Sequence, residues 1–425
     1  MSADIPIGRA TQSRIYSEGA YGRRPRVPVP PAALEAAALR KMSKRAAAYV
    51  AAGAGLERTV DANRAAFDRW RIMPRMLTDV SGRDTSVELF GRRHPSPFLL
   101  APVGVLELAH PRADLAVAEA AAELGVPMVI SNQASRPMEA CAEVMGDAER
   151  WFQLYWGSSD DLVESLVERA EASGSGAIVV TVDTFMLGWR PRDLNEAHLP
   201  FAYGKGIAQY THDPVFTELA RQRAARPRQA GRPRPTPSAL ATLASISRAY
   251  PGGFFANLRS RLPRAAVDTF LDVFARPALT WADLPFLRQR TKLPILLKGL
   301  LHPDDARRAV DAGVDGIVVS NHGGRQIDGS VATLDALPGV VEAVGGRLPV
   351  LFDSGVRGGG DAFKAIALGA KAVCVGRPYV YGLALAGSAG VAEVLANFMA
   401  EFDLVMGLAG CNSVAEITRD ALRPA

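Results

Sequence analysis

Eight short runs of apolar and β-branched residues stand out against the more polar chain: FLLAPVG from 98, PMVISN from 127, WFQLYW from 151, AIVVTVD from 177, PILLKG from 294, GIVVSN from 316, PVLFDSG from 349 and AVCVGR from 372. Their starts lie 29, 24, 26, 117, 22, 33 and 23 residues apart. A strand, a loop, a helix and a return loop need roughly twenty-five residues, so the spacing reads as a repeated βα unit. The segments between them agree. ADLAVAEAAAELG, SDDLVESLVERAEASG, HPDDARRAVDAGV and GDAFKAIALGA carry apolar residues at helical spacing. Asp304 and Asp361 fall at helix starts, where a carboxylate favours the helix dipole. Most of the strands are apolar throughout rather than alternating, as both-faces-buried parallel strands are.

Eight such units predict an α/β protein with a (β/α)8 TIM barrel over residues 96–425. A doubly wound sheet would use fewer strands and a GxGxxG turn after the first; none follows FLLAPVG. Residues 1–95 form an N-terminal extension whose helices pack on the barrel. Residues 1–30 are polar and Pro-rich and are expected on the surface. One helix is expected from Pro31 to Gly53 and a second over about 56–68. A long insertion after strand four, Arg190 to Thr280, is expected to hang over the C-terminal mouth as a lid or loop, and ALTWADLPFLRQRT reads as a helix returning to strand five.

Charge changes this picture little. Lys plus Arg is 49 and Asp plus Glu 44, a net charge of +5, but residues 221–237 alone hold six Arg and no acid, so the remainder is 5 − 6 = −1. The basic excess is one Arg/Pro tract inside the insertion, expected to be mobile, with no nucleic-acid-binding motif beside it. Three scattered cysteines give neither a disulfide framework nor a zinc site, and no metal is expected. The N-terminus has no signal-like apolar segment, and no run of about eighteen uncharged apolar residues occurs. The expectation is a soluble cytoplasmic protein without membrane or nucleic-acid partners.

Barrel chemistry is assembled at the C-terminal ends of the strands. Strand one ends at Pro102, Val103 and Gly104, strand two at Ser131 with Gln133 beyond, and strand three at Gln153 and Tyr155. Strand four ends at Thr181 and Asp183, with Arg190 seven residues further on. Strand five ends at Lys298. Strand six ends SNHGGRQ, with Ser320, His322 and Arg325; strand seven supplies Asp353, Gly355 and Arg357, and strand eight Gly376 and Arg377. Glycine turns and paired arginines after strands seven and eight match the standard barrel phosphate site. His322 suits general-base work, and Asp183 could steady its imidazolium. The other five histidines fall in expected loops. Arg325 or Arg190 could clamp a carboxylate. Lys298 reads either as a Schiff-base nucleophile or as a fixed charge for a developing anion. Ser131, Gln153, Thr181 and Ser320 suit the edge of a heteroaromatic ring.

SNHGGRQ, with AYVAAGA, RPRDLN, LPILLKG, LFDSGVR and GRPYVYGLAL in register, resembles the FMN-dependent 2-hydroxy acid oxidising enzymes: glycolate oxidase, lactate oxidase, flavocytochrome lactate dehydrogenase, mandelate dehydrogenase and lactate 2-monooxygenase. The resemblance runs from about residue 31 onwards, and GWRPRDLN with the insertion is most similar to lactate 2-monooxygenase. It implies FMN as cofactor, His322 as base and Asp183 as its partner. It implies that Arg325 and Tyr49 hold the substrate carboxylate, with Arg190 nearby, and that Tyr155 bonds the substrate. Lys298, Ser131, Gln153, Thr181 and Ser320, with Pro102, Val103 and Gly104, would meet the ring or ribityl chain. Asp353, Gly355, Arg357, Gly376 and Arg377 would hold ribityl and phosphate.

Two positions depart from the glycolate-oxidase pattern: Gln133 stands where a Trp is usual, lining the substrate side-chain pocket, and Val103 where a Thr or Ser is usual. The resemblance further implies a homotetramer or octamer, and oxidation of an (S)-2-hydroxy acid with oxygen, lactate-like or larger. If the 2-oxo acid stays bound, the outcome is oxidative decarboxylation as in the monooxygenase. If it leaves, the outcome is an oxidase releasing peroxide. The competing classes are a Schiff-base aldolase on Lys298 and a non-catalytic binder acting through the Arg tract.

Overall fold

The computed structural model describes residues 6–226 and 236–425. All eight apolar runs are strands: β1 (Phe98–Leu100), β2 (Met128–Ile130), β3 (Arg150–Leu154), β4 (Ile178–Thr181), β5 (Ile295–Leu300), β6 (Gly316–Val319), β7 (Val350–Phe352) and β8 (Ala372–Val375). They close into one parallel barrel in the order β7-β8-β1-β2-β3-β4-β5-β6. Every residue of β1, β2, β4, β6, β7 and β8 is buried, which is why these segments show no polar alternation.

The register decides what faces the barrel interior. Val129 pairs with Trp151, Gln153 with Val179, Thr181 with Lys298, Lys298 with Val318, Val318 with Leu351, and Leu351 with Ala372. Side chains repeat every second residue along a strand. The same face therefore carries Ser131, Gln153, Thr181, Lys298, Ser320, Asp353 and Cys374 at the C-terminal end, and the Cys374–Leu99 pair brings Ala101 to it as well. Six of these eight are the polar strand-end residues singled out from the sequence. A bulge at Lys298/Leu300 carries Gly299 at φ +113°, where a Cβ would lie 2.6 Å from Cβ of Asp183. Only glycine lets β5 turn so close to that carboxylate.

Helices lie where the periodicity places them, at Ala113–Leu124, Asp160–Ala172, Pro303–Asp311 and Gly359–Ala367, with Asp304 and Asp361 in first turns. The return to β5 is a 3-10 turn, Trp281–Asp283, followed by helix Leu284–Arg288.

The N-terminal extension differs from expectation. The stretch before residue 31 contains a helix, α1 (Ile7–Ala20), of which only Gly8 and Thr11 are buried. Gly8 N–H donates to the buried Asp403 carboxylate, pinning it to the terminal helix. The expected single helix from Pro31 to Gly53 is two, α2 (Pro31–Lys41) and α3 (Lys44–Ala51). Ser43 breaks it: its hydroxyl accepts from Ala46 N–H as an N-cap, which competes with helical continuation. The next helix, α4, runs Arg58–Asp68.

The insertion is folded rather than a loose loop. Helices Pro214–Ala225, Pro237–Ala249, Phe254–Arg259 and Leu262–Val273 occupy most of it. Of the Arg/Pro tract, 221–225 ends one helix, and Thr236 caps the next. Residues 227–235, and with them most of the expected mobile segment, lie outside the described residues. Arg221 and Arg223 pair with Glu218 and Asp272, so part of the tract's charge is locally offset.

The helical stretch Arg377–Leu408, kinked where Ala386 and Gly387 leave helical geometry, is long and apolar enough, by length and composition, to cross a membrane, which its lack of an eighteen-residue uncharged run did not foretell. Most of that apolar window is buried within the fold, and Glu393, Glu401 and Asp403 hold backbone or side-chain donors of the extension and barrel loops. It is a core helix.

Candidate active site

A cavity opens at the C-terminal ends of the strands. Its wall includes fifteen of the sequence-derived residues: Tyr49, Pro102, Val103, Gly104, Gln133, Tyr155, Arg190, Lys298, His322, Arg325, Asp353, Gly355, Arg357, Gly376 and Arg377. The remaining candidates stand directly behind it. Ser131, Gln153, Thr181 and Ser320 are buried on the inward barrel face, and Asp183 backs His322.

His322 is held in a left-handed backbone conformation, φ +58°, uncommon for a residue with a Cβ. The strain turns its ring toward Asp183. Nδ1 lies 2.8 Å from Asp183 Oδ1, while the Thr184 hydroxyl donates to the same oxygen at 2.8 Å. Burial pushes the imidazole pKa down, Asp183 opposes this, and the Lys298 and Arg190 charges add to the fall. The ring is therefore neutral at pH 7, with Nδ1–H donating to Asp183 and Nε2 free to take a proton. Burial pushes Asp183 up, but His322, Lys298 and the hydrogen bonds from His322 and Thr184 outweigh it and hold Asp183 at about 2.

This arrangement fixes a pH dependence. A base works only when unprotonated, so turnover at limiting substrate is lost as pH falls through the His322 pKa. That pKa lies below the ordinary 6.5. The acid limb of kcat/KM is therefore expected below pH 6.5, measured as the rate of substrate-driven reduction across pH 4.5–8. A limb centred above 6.5 would contradict the environment described for His322.

Lys298 sits at the barrel axis side of the site. Its Nζ donates to Ser320 Oγ at 3.0 Å and lies 3.3 Å from Asp353 Oδ2. Burial disfavours its charge, but Asp353 and Asp183 overcome this and raise its pKa. A Schiff-base lysine must be neutral to attack, so this environment argues for the fixed charge.

Arg190 and Arg325 converge from different loops. Arg325 donates to the Tyr49 and Ala52 carbonyls and lies over the Tyr49 ring, 5.1 Å from its centroid. Burial, then the Arg325 charge, pull Arg190 down to about 10. Neither guanidinium has a carboxylate in salt-bridge range among the described residues; Asp193 acts on both from further off, so an anion in the cavity would meet two cations without a direct partner. Burial, reinforced by Asp183, pushes Tyr155 up to about 12, so its hydroxyl stays a donor. Burial likewise raises Tyr49.

At the other end, Gly355 has φ +85° and a Cβ there would strike the Asn63 carbonyl at 2.4 Å. Arg357 lines the cavity with its Nε 3.9 Å from Glu35. Arg377 also lines it, but spends donors on the carbonyls of Val50, Ala52 and Gly323.

The residues present fit FMN. Gln153 Nε2 and Thr181 Oγ1 are buried on the inward face without a hydrogen-bond partner. Orphaned groups of this kind cost about 1–3 kcal/mol each, which the edge of a polar heterocycle would relieve. Gly355 and Gly376 backbone with Arg357 and Arg377 would receive the phosphate, and Lys298 would stand beside the ring.

Several contributors escaped the sequence reading. Thr184 completes the His322–Asp183 contact. Ser354, at φ +83°, donates to Asp353 and accepts from Gly323 N–H, joining the loops after β6 and β7. Asn63 of α4 and Asn321 exchange two 2.8 Å hydrogen bonds side chain to side chain. Their only advance signal was adjacency to a chemical residue, and Asn63 had none. His94, expected in a solvated loop, is instead a buried strand residue in a short ribbon, Val87–Leu89 with Arg92–His94. Among the described residues no group of three or more His, Cys, Asp or Glu is gathered to hold a metal ion.

The fold and site together define a flavin-dependent (β/α)8 oxidoreductase. The FMN-dependent dehydrogenase family matches residues 38–424, and the chain belongs to it. It is 40% identical over 413 residues to the FMN-dependent alpha-hydroxy acid dehydrogenase qulF of Penicillium citrinum, covering 97% of this chain and 95% of that one. It is 42% identical over 382 residues to an L-lactate oxidase of Lysinibacillus sphaericus, covering 90% and 89%. In three dimensions it resembles mandelate oxidase in complex with (S)-4-hydroxymandelic acid, with TM-score 0.76 and 39% identity over 94% of this chain and 99% of the other. The chain is thus an FMN-dependent 2-hydroxy acid oxidoreductase.

Proposed function

We propose that this enzyme oxidises an (S)-2-hydroxy acid with a hydrogen-bonding side chain, and that oxygen is the final acceptor. Bound FMN supplies the two-electron acceptor. Arg325, Tyr49 and Arg190 hold the substrate carboxylate. Nε2 of His322 removes a proton from the substrate, and Asp183 stabilises the resulting imidazolium through Nδ1–H. Tyr155 donates to the substrate oxygen, and Lys298 keeps a fixed positive charge against the cavity. The observation that carries this reading is His322 held 2.8 Å from Asp183 beside two arginines that, among the described residues, have no carboxylate within salt-bridge range.

Gln133 supports the proposed substrate class. It is 7% exposed, it lines the cavity, and its side-chain amide bonds nothing among the described residues. An unpaired amide facing the cavity from a largely buried residue favours a ligand that hydrogen-bonds over an alkyl or aryl surface. A matched pair tests this: glycerate against 2-hydroxybutanoate, which exchange a hydroxyl for a methyl. One hydrogen bond is worth about 1 kcal/mol, roughly fivefold in kcat/KM. We expect glycerate to be favoured by about that factor, and Gln133→Met to reverse the order. Equal rates in both proteins would sink the assignment.

Product fate is the second question. Phe201, from the insertion, lines the cavity, and Gln209 and Tyr210 brace the loop carrying Gln133 through Ser131, Arg136, Met138 and Asn132. A mouth walled in this way favours retention of the 2-oxo acid and decarboxylation by peroxide, as in lactate 2-monooxygenase. The likeness to L-lactate oxidases near 40% identity favours release instead. An oxygen electrode with carbon balance separates them: stoichiometric peroxide without CO2 would overturn retention.

A further inference from the structure

Gln326, the last residue of SNHGGRQ, belongs to none of the groups assigned so far, yet its amide is spent on one short stretch of chain. Nε2 donates to the carbonyls of Asp183 at 2.8 Å and Met186 at 2.9 Å. Oε1 accepts from Arg190 Nη2 at 3.0 Å and from Gly188 N–H at 3.4 Å. The orientation is unambiguous chemically, since only the NH2 end can face two carbonyls and only the oxygen can face two donors. These four partners lie between Asp183, which orients His322, and Arg190, which faces the cavity.

Little else holds this segment down. Phe185, Met186 and Trp189 are 46%, 56% and 73% exposed, so burial of apolar area does not anchor it. Leu187 lines the cavity but is itself 40% exposed. The other ties among the described residues are Gly55 N–H to the Trp189 carbonyl, Arg190 Nε to the Arg325 carbonyl, Leu194 N–H to the Arg190 carbonyl, and the contacts of Asp183 and Thr184 with His322.

We propose that Gln326 is a positioning residue that sets the Arg190 guanidinium for the substrate carboxylate and ties it to the Asp183 end of the same loop. It acts by closing a polar loop whose two ends carry two different tasks. The inference rests on the reading that Arg190 helps bind the carboxylate.

The test is a double-mutant cycle on the FMN-loaded protein, read by calorimetric binding of a 2-oxo acid, which is not turned over in the absence of a reductant. Arg190→Met is expected to weaken binding at least tenfold. Gln326→Met, similar in volume but without the amide, is expected to weaken it about tenfold with FMN content unchanged. Combined, the two should cost no more than Arg190→Met alone, because Gln326 acts through Arg190. Should the Met variant fail to accumulate, Gln326→Asn, the same amide one methylene short, carries the same cycle. If Arg190→Met leaves binding intact, the carboxylate reading falls and the inference with it. If Arg190→Met weakens binding but the Gln326 variant does not, or if the two losses multiply, only the positioning role is overturned.

Discussion

His322→Gln is expected to keep FMN bound and the barrel folded while substrate-driven flavin reduction falls by at least 10²–10⁴-fold, the usual cost of losing a general base. Glutamine preserves a hydrogen-bonding side chain of similar reach beside Asp183 and Thr184. It offers no group that can accept a proton near neutrality. The residue at 322 lies on the cavity wall but supplies no ion pair to Lys298, Asp353 or the arginines beyond β7 and β8, so cofactor retention should be insensitive to it. Anaerobic stopped-flow bleaching measures the effect directly. Reduction at near the parent rate would remove His322 from the mechanism.

Lys298→Met is expected to act more broadly. Lys298 is 4% exposed and lies against Asp353, which is itself buried. Removing one member of a buried pair strands the other and typically costs about 3–5 kcal/mol. The cation also offsets Asp183 across the site. We therefore expect Lys298→Met to purify with little flavin, to melt at a clearly lower temperature, and to recover part of that stability when Asp353→Asn is added. If Lys298→Met binds FMN like the parent with an unchanged reduction potential, the fixed-charge role is wrong.

The barrel was legible because parallel strands buried on both faces leave unbroken apolar runs, and because the βα repeat has a narrow range of lengths. The chemistry was legible for a related reason: polar residues at the ends of such runs have no packing role to explain them. Lys298 after PILL and Ser320 after GIVV are conspicuous for that reason, and the register gathers both on one inward face. What escaped was information that lives in distant contacts. The pairing of Asn63 with Asn321 spans 258 positions and has no local signature. Helix α1 buries only Gly8 and Thr11, too narrow a stripe to produce an apolar period. The break at Ser43 required weighing a cap against an Ala-rich stretch that would otherwise run on. The insertion was judged by its Arg/Pro tract, whereas its flanks carry ordinary amphipathic helices.

The clasp between α4 and the loop after β6 has a consequence for the order in which the enzyme becomes whole. Besides the Asn63–Asn321 exchange, Asp328 accepts from Leu56 and Thr59 N–H, and the Thr59 hydroxyl donates to the Ile327 carbonyl. During synthesis, α4 leaves the ribosome long before residues 321–328 exist. Its polar face must wait, solvated, while the six barrel strands β1–β6 are made. Contacts this remote in sequence form late, since the closure entropy of the intervening chain must be met first. The His322 loop therefore acquires its final shape only when the beginning of the chain returns to it.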